Sequence, residues 1–170
     1  KYTLNEGVPN FLNHGMQGQK DGILWEPGDT GVADAGSNVV TIANEKGIRI
    51  VPLVGPSSIL LAMMASGMNG QNFAFSGYLP IEKGDRVKAL RRMEKLSKDS
   101  GQSQIFMETP YRNHKLLDTV LETCNDATRL CIARDITLPS EFIQTHTISY
   151  WKKNIPDLEK KPAIFIISAQ

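Results

Sequence analysis

Gly22-Ile23-Leu24-Trp25-Glu26-Pro27-Gly28-Asp29-Thr30-Gly31 and, after a helix-like stretch, Ile48-Arg49-Ile50-Val51-Pro52-Leu53-Val54-Gly55-Pro56-Ser57-Ser58 decide how this chain is read. Each is an apolar run that enters a loop of Gly, Pro and small polar residues, and each loop leads into a helical pattern. Ile23–Trp25 and Ile48–Leu53 have the β-branched and aromatic bias of strands. A helix is predicted from about Ala35 to Lys46, with Asp34 as its cap, Val39, Ile42 and Ala43 on one face and Gly47 at its end. A second follows over Ile59–Ala65, seven apolar residues with Ser57 or Ser58 as cap and Gly67 as stop. Apolarity on every side predicts burial on every side. Strand–loop–helix units of this kind build open α/β sheets, whose ligands sit outside the carboxyl ends of the strands.

The pattern restarts beyond Met68–Asn72, a stretch of Gly, Asn and Gln without apolar periodicity. Strands are predicted at Phe73–Phe75, Gln104–Glu108, Arg129–Arg134, Phe142–Thr145 and Ala163–Ile167. The last is a continuous apolar run suited to an interior strand covered on both faces. Helices are predicted at Asp85 to about Lys98 and at Asn113–Cys124, with a helical turn at Ile148–Lys153. Before all of this, Tyr2–Gln17 reads as a weak helix interrupted by Pro9. A fold of this type opens with a strand, so a segment preceding Lys1 is expected. The expected fold class is α/β, two small α/β domains over residues 1–68 (partial) and 73–170, the first lacking its N-terminal strand.

The 170 residues, 41% hydrophobic and 22% charged, can bury a core. No apolar run approaches the roughly 20 residues of a membrane-spanning helix, so no membrane partner is expected. Cys124 and Cys131 are too few for a disulfide framework and point to a reducing, cytoplasmic setting. His14, His114 and His146 make no metal-ligand spacing with them, and no metal is expected. The net charge of +1 hides an asymmetry: Lys83 to Lys98 holds seven Lys or Arg against Asp85 and Glu94. Such a helix suits nucleic-acid phosphates or is simply a solvated face.

Four loops can carry chemistry. In the first, Gly28 and Gly31 admit a ligand close to the backbone, and Glu26, Asp29 and Asp34 offer carboxylates to ribose hydroxyls or an amino group. No phosphate-loop motif is present, and a plain turn is the alternative. Gly55-Pro56-Ser57-Ser58 stands at a helix N-terminus, where Ser caps and free amides attract a polar group or serve only as caps. At Met107-Glu108-Thr109-Pro110-Tyr111-Arg112 and at Ala133-Arg134-Asp135-Ile136-Thr137 an acid and an arginine end a strand, ready to bind substrate or to pair with each other.

In this order the segments resemble the tetrapyrrole methylase-like family of S-adenosylmethionine-dependent methyltransferases. Within it they are most similar to the branch with the bacterial ribosomal RNA small-subunit cytidine-2′-O-methyltransferases. The resemblance runs from about Gly22 to Ile167. It rests on Glu26–Gly36, on Val51–Ser58 against a Pro-Gly-Pro-Ser segment, and on Phe73–Pro80 against Phe-x-Phe-x-Gly-Phe-Leu-Pro. Glu108-Thr109-Pro110-Tyr111-Arg112 stands against Glu-Ser-Pro-His-Arg, and Ala133-Arg134-Asp135-Ile136-Thr137 against Ala-Arg-Glu-Leu-Thr. Three departures stand out: the family's first strand and its loop have no counterpart, Thr30 and Ala35 replace prolines, and Pro27 replaces a small residue.

The resemblance implies two α/β domains with S-adenosylmethionine in the cleft between them, and a homodimer. It implies that Glu26, Gly28, Asp29, Thr30, Pro56, Ser57, Ser58, Met107, Thr109 and Ala133 line the cofactor pocket. Methyl transfer to a 2′-hydroxyl also needs a proton acceptor, for which Glu108 and Asp135 are the candidates. Arg112 and Arg134 are the candidates for holding substrate. RNA is the expected acceptor, favoured by the basic helix. A tetrapyrrole or other small-molecule acceptor, or a member that binds nucleoside or RNA without transferring methyl, are the alternatives.

Overall fold

The computed structural model describes Leu12, Gln17, Gln19, Lys20, Gly22 and residues 36–169. Contacts divide the chain into two compact units, Lys1–Ser57 and Ser58–Gln170. The strand expected at Ile23–Trp25 and most of the helix expected at Tyr2–Gln17 lie outside the described residues. In the first unit, helix α1 spans Ser37–Glu45. It buries Ala43, which packs with Leu12, Val39, Ile42 and Ile48. It starts from Gly36 without a side-chain cap, and Asp34 lies outside the described residues.

Ile48–Leu53 is not a strand. Val51 and Leu53 are exposed and Val54 fully so. β-Branched residues make a strand only where a neighbour completes the ladder, and no described residue pairs with this run.

The second unit begins with helix α2, Ser58–Ala65. Strand β1 (Phe73–Tyr78), helix α3 (Lys83–Ser100), β2 (Ser103–Met107), a 3-10 turn (Pro110–Arg112), α4 (Asn113–Thr123), β3 (Arg129–Arg134), β4 (Phe142–Thr147), α5 (Ile148–Trp151) and β5 (Ala163–Ser168) follow. The predicted strands and helices of this half are all present, with ends that coincide or are displaced by at most three residues. The sheet order is β1-β2-β5-β3-β4. β1 and β2 are parallel, joined by the crossover helix α3. β5 is antiparallel to both β2 and β3, and β4 is antiparallel to β3.

Alternation along the strands sorts the core into two faces. Phe106, Leu130, Ile132, Phe165 and Ile167 pack with α3, α4 and α5. On that face Phe106 and Phe165 stack at 5.8 Å, and the buried Trp151 Nε1 donates to the Leu130 carbonyl at 2.8 Å. Ile105, Cys131, Ala133, Ile164 and Ile166 face the other way, onto Ile59, Ala62 and Met63 of α2. Helix α2 is buried on that side only: Met64 is 79% exposed and Leu60 50%. Its expected all-round burial fails because a single helix on a sheet face has one side to bury, whatever its composition.

Local chemistry sets the joins. Gly101 ends α3 in the left-handed region at φ 66°, its N–H donating to Ser97 O. Gly77, at φ 65°, sits where the β1–β2 register shifts between Phe75 and Tyr78, a bulge that glycine accommodates. The Met68–Asn72 stretch is tied down. Asn69 Nδ2 donates to Gly101 O at 3.0 Å, Asn72 Nδ2 to Ser100 O at 3.1 Å, and Ser103 Oγ to Asn69 O at 3.0 Å.

Cys124 and Cys131 are free and buried. Burial, with the charge of Glu94 second, pushes the Cys124 thiol up to about 12, and burial also raises Cys131. Because the thiolate is the reactive form, an aromatic disulfide reagent at neutral pH should label neither thiol in the folded protein and both in denaturant. Rapid labelling of the native chain would contradict this packing.

Candidate active site

β1, β2 and β3 run in the same direction, since β1 parallels β2 and β5 opposes both β2 and β3. Their carboxyl ends therefore share one edge of the sheet, together with the start of β5. Glu108, Thr109 and Arg112 follow β2 at that edge, and Arg134 and Asp135 end β3. The ends of β2 and β3 are separated by β5, about 10 Å apart at the usual strand spacing.

Glu108 is buried. Its Oε1 accepts from the Thr109 N–H and from Arg112 Nη2, both at 2.7 Å. Among the described residues Oε2 has no hydrogen-bond partner. Asp135 is buried too, at φ 51°. Its Oδ2 accepts from Arg134 Nη1 at 3.0 Å, Ser140 Oγ at 3.0 Å and Lys161 Nζ at 3.5 Å. Its N–H donates to Pro162 O at 3.1 Å, which ties the β3 end to the β5 start. Arg134 Nη1 also donates to Ser140 O at 2.8 Å, and its guanidinium lies 5.0 Å from the Phe142 ring centre. Burial pushes the Asp135 carboxyl up, but the Ser140 hydroxyl, the Lys161 charge and the Lys161 and Arg134 bonds outweigh it and hold it below the usual carboxylate range.

Two further features mark this edge. Three of the four buried side-chain polar atoms without a partner among the described residues, Arg112 Nε, Asn113 Oδ1 and Arg134 Nε, belong to residues gathered here. Buried polar atoms are normally satisfied, so this edge retains polar capacity that the chain does not use. The backbone is also strained. Asp135 and Thr137 both have positive φ, 51° and 69°, a region that aspartate visits more readily than most residues and a β-branched threonine rarely. Strain of this kind clusters at functional sites.

The α2-facing side of the same edge is apolar. Register pairs Met107 with Ile164, Ile164 with Ala133 and Ala133 with Ile143. All four belong to the α2-side cluster, so they form one row across β2, β5, β3 and β4. Next to Ile143 an open groove of about 360 Å³ is lined by Leu61, Met64, Ala65, Ile136, Thr137 and Glu141. Among the described residues no three His, Cys, Asp or Glu side chains converge as metal ligands do.

Of the residues singled out in the sequence, Glu26, Gly28, Asp29 and Thr30 lie outside the described residues. Pro56 is exposed and Ser57 buried at the end of the first unit, and Ser58 is exposed at the start of α2. Met107, Glu108, Thr109, Arg112, Ala133, Arg134 and Asp135 all reach the one sheet edge. Sequence reading missed Lys161, Ser140, Asn113 and Ile164, which meet them there. Lys161 lies 26 residues from Asp135, and no local pattern announces that contact.

The Asp135 cluster makes two predictions. Asp135→Asn should lower stability near neutral pH by about 2 kcal/mol, as loss of hydrogen bonds to a charged group does. The folded carboxyl pKa is depressed, so its contribution is complete above the unfolded value of about 4 and is lost as pH falls through the folded value. The gap between wild type and variant in denaturant melts should therefore close below about pH 4. Thr137→Gly relieves the left-handed backbone and should stabilise by up to about 1 kcal/mol; a lower melting temperature would refute the strain.

Comparison with known proteins places this architecture. The profile of the Tetrapyrrole (Corrin/Porphyrin) Methylases matches residues 14–150. Curated proteins named Ribosomal RNA small subunit methyltransferase I are similar to the chain. That of Mesorhizobium japonicum is 32% identical over 87% of this chain and 49% of its own length. That of Thermotoga maritima is 33% identical over 82% and 62%, and that of Escherichia coli O157:H7 26% over 89% and 53%. The chain spans about half the length of the curated relatives it matches. Among solved structures, the methyltransferase CobJ has a TM-score of 0.65 at 17% identity, covering 99% of this chain and 72% of its own. Uroporphyrin-III C-methyl transferase from Thermus thermophilus, complexed with S-adenosylhomocysteine, has 0.55 at 16%, covering 96% and 72%. These two likenesses show a shared fold. The profile match covers most of the chain, which belongs to the tetrapyrrole (corrin/porphyrin) methylase family.

Proposed function

We propose that this chain is part of an S-adenosylmethionine-dependent methyltransferase that acts on ribosomal RNA, at a ribose 2′-hydroxyl. The observation that carries this reading is the run of relatives named as small-subunit ribosomal RNA methyltransferases, aligned over more than four fifths of the chain. The domain assignment that goes with it is a partial first α/β domain over residues 1–68 and a second over 73–170. The protein works in the cytoplasm as a homodimer; its buried, unbridged thiols suit a reducing compartment. No helix among the described residues is long and apolar enough to cross a membrane.

The described residues fit the cofactor. The row Met107–Ile164–Ala133–Ile143 makes an apolar floor beneath the strand ends: Ala133 and Ile164 are buried against α2, and the partly buried Met107 and Ile143 are the members a flat base can reach. Ser58, Met107, Thr109 and Ala133 are the proposed contacts of the second unit, and Glu26, Gly28, Asp29, Thr30, Pro56 and Ser57 those of the first. When bound, S-adenosylmethionine supplies a sulfonium methyl open to displacement. The protein aligns the acceptor oxygen with that methyl and excludes water.

Glu108 is the better placed proton acceptor, because its Oε2 is uncommitted while Oε1 is held by Thr109 and Arg112. Asp135, held below the usual carboxylate range, accepts protons poorly. Its role is to fix Arg134 and Lys161, with the guanidinium charges of Arg112 and Arg134 as the candidates for holding substrate.

Glu108→Gln keeps an oxygen for Arg112 but removes the base. In the full-length protein it should lower methyl transfer from labelled cofactor to small-subunit RNA by about 100-fold or more, with cofactor affinity by calorimetry unchanged. Equal loss of cofactor binding would make Glu108 structural. Label incorporated into neither RNA nor small acceptors would sink the enzyme assignment.

A further inference from the structure

Helix α3 buries Arg86, Leu90, Met93 and Ser97 along one stripe. Arg86 anchors its start: Nη1 donates to Pro80 O at 3.3 Å and Ile81 O at 2.8 Å, and Nε to Thr119 Oγ1 at 3.1 Å. The helix therefore springs from just beyond the end of β1, at the edge that carries Glu108 and Asp135.

On the side away from the core stand Lys88, Arg91, Arg92, Lys95 and Lys98, all exposed. At 3.6 residues per turn they fall within an arc of about 120° and extend about 15 Å along the helix. Lys88 pairs with Asp85 at 3.0 Å and Lys95 with Asp99 at 2.6 Å, exposed pairs worth little and easily exchanged. Arg91, Arg92 and Lys98 have no acidic partner among the described residues. Their charge is neither neutralised by the fold nor needed for it. The apolar side of the helix is spent in the core, and Leu96 is its one exposed large apolar side chain. A helix that binds a lipid surface needs an apolar face to insert, and α3 has none left. A linear row of exposed guanidinium and ammonium groups matches instead the repeated charge of a nucleic-acid backbone.

We propose that this outward stripe of α3 is the phosphate-docking surface for the RNA substrate. It holds the strand's backbone without reading its sequence and leads it toward the carboxyl edge of the sheet. The inference rests on the RNA reading above and adds to it the surface that receives the RNA.

The test measures binding of a labelled single-stranded RNA to the 170-residue chain by fluorescence anisotropy, at salt concentrations from roughly 50 to 200 mM. It compares wild type with Arg91→Glu/Arg92→Glu/Lys98→Glu and with a charge-matched control, Lys152→Glu/Lys153→Glu/Lys160→Glu, on exposed positions elsewhere. Thermal melts check that both variants are folded. The α3 variant should bind on the order of tenfold more weakly, with a log–log salt slope shallower by about 2, the loss of three phosphate contacts on a single strand. The control should change little. Equal weakening of both variants, or an α3 variant that binds like wild type, would overturn the surface and leave the RNA reading standing. Wild type that binds no RNA, yet methylates a small acceptor in its full-length form or binds vesicles of anionic phospholipid, would overturn both.

Discussion

Strand β5, Ala163–Ser168, lies between β2 and β3 and is antiparallel to each, so its backbone groups are paired along both edges while all six side chains are buried. Ala163, Phe165 and Ile167 enter one core cluster and Ile164 and Ile166 the other. Without it, β2 and β3 would lie apart, and the two helical layers would have no common sheet to cover. The strand comes last in sequence, so the site edge is assembled by contacts of long sequence separation. Gln104 to Ile167 and Arg134 to Ala163 are examples.

The same insertion explains the electrostatics. Entering antiparallel, β5 brings Lys161 and Pro162 to the place where β3 ends. Asp135 answers with a hydrogen bond from its N–H to Pro162 O and with a carboxylate shared by Arg134, Ser140 and Lys161. A buried carboxylate facing two cations is costly to desolvate, and a left-handed aspartate adds backbone strain. Across β5, Glu108 and Arg112 form a second pair that leaves one carboxylate oxygen free of partners among the described residues. One edge thus holds a stiff, ion-paired cluster on β3 and a half-committed acid on β2, and the proposed roles in orienting substrate and accepting a proton rest on that division.

Composition misleads where an element has at most one neighbour among the described residues. Helix α2 is apolar all round, yet it covers a single sheet face and leaves Met64 and Leu60 exposed. Ile48–Leu53 has strand chemistry without a described strand to pair with. In both cases the residues state a preference, and the presence of a second surface decides whether it is met.

The sequence alone determined the elements of the second unit, because period-2 alternation and the 3.6-residue period are local: Arg129–Arg134 and Asn113 onward follow from their own residues. It also marked Glu108, Arg112, Arg134 and Asp135 as strand-end groups and the outward charge of α3, since one helix face is set by spacing. Only the tertiary structure decided the sheet order, the apolar row Met107–Ile164–Ala133–Ile143, and the pairing of Asp135 with Ser140 and Lys161. These depend on which strand lies beside which. That is a choice among long-range pairings of similar local chemistry, and it is made by burial of the whole sheet at once and by no single stretch of chain.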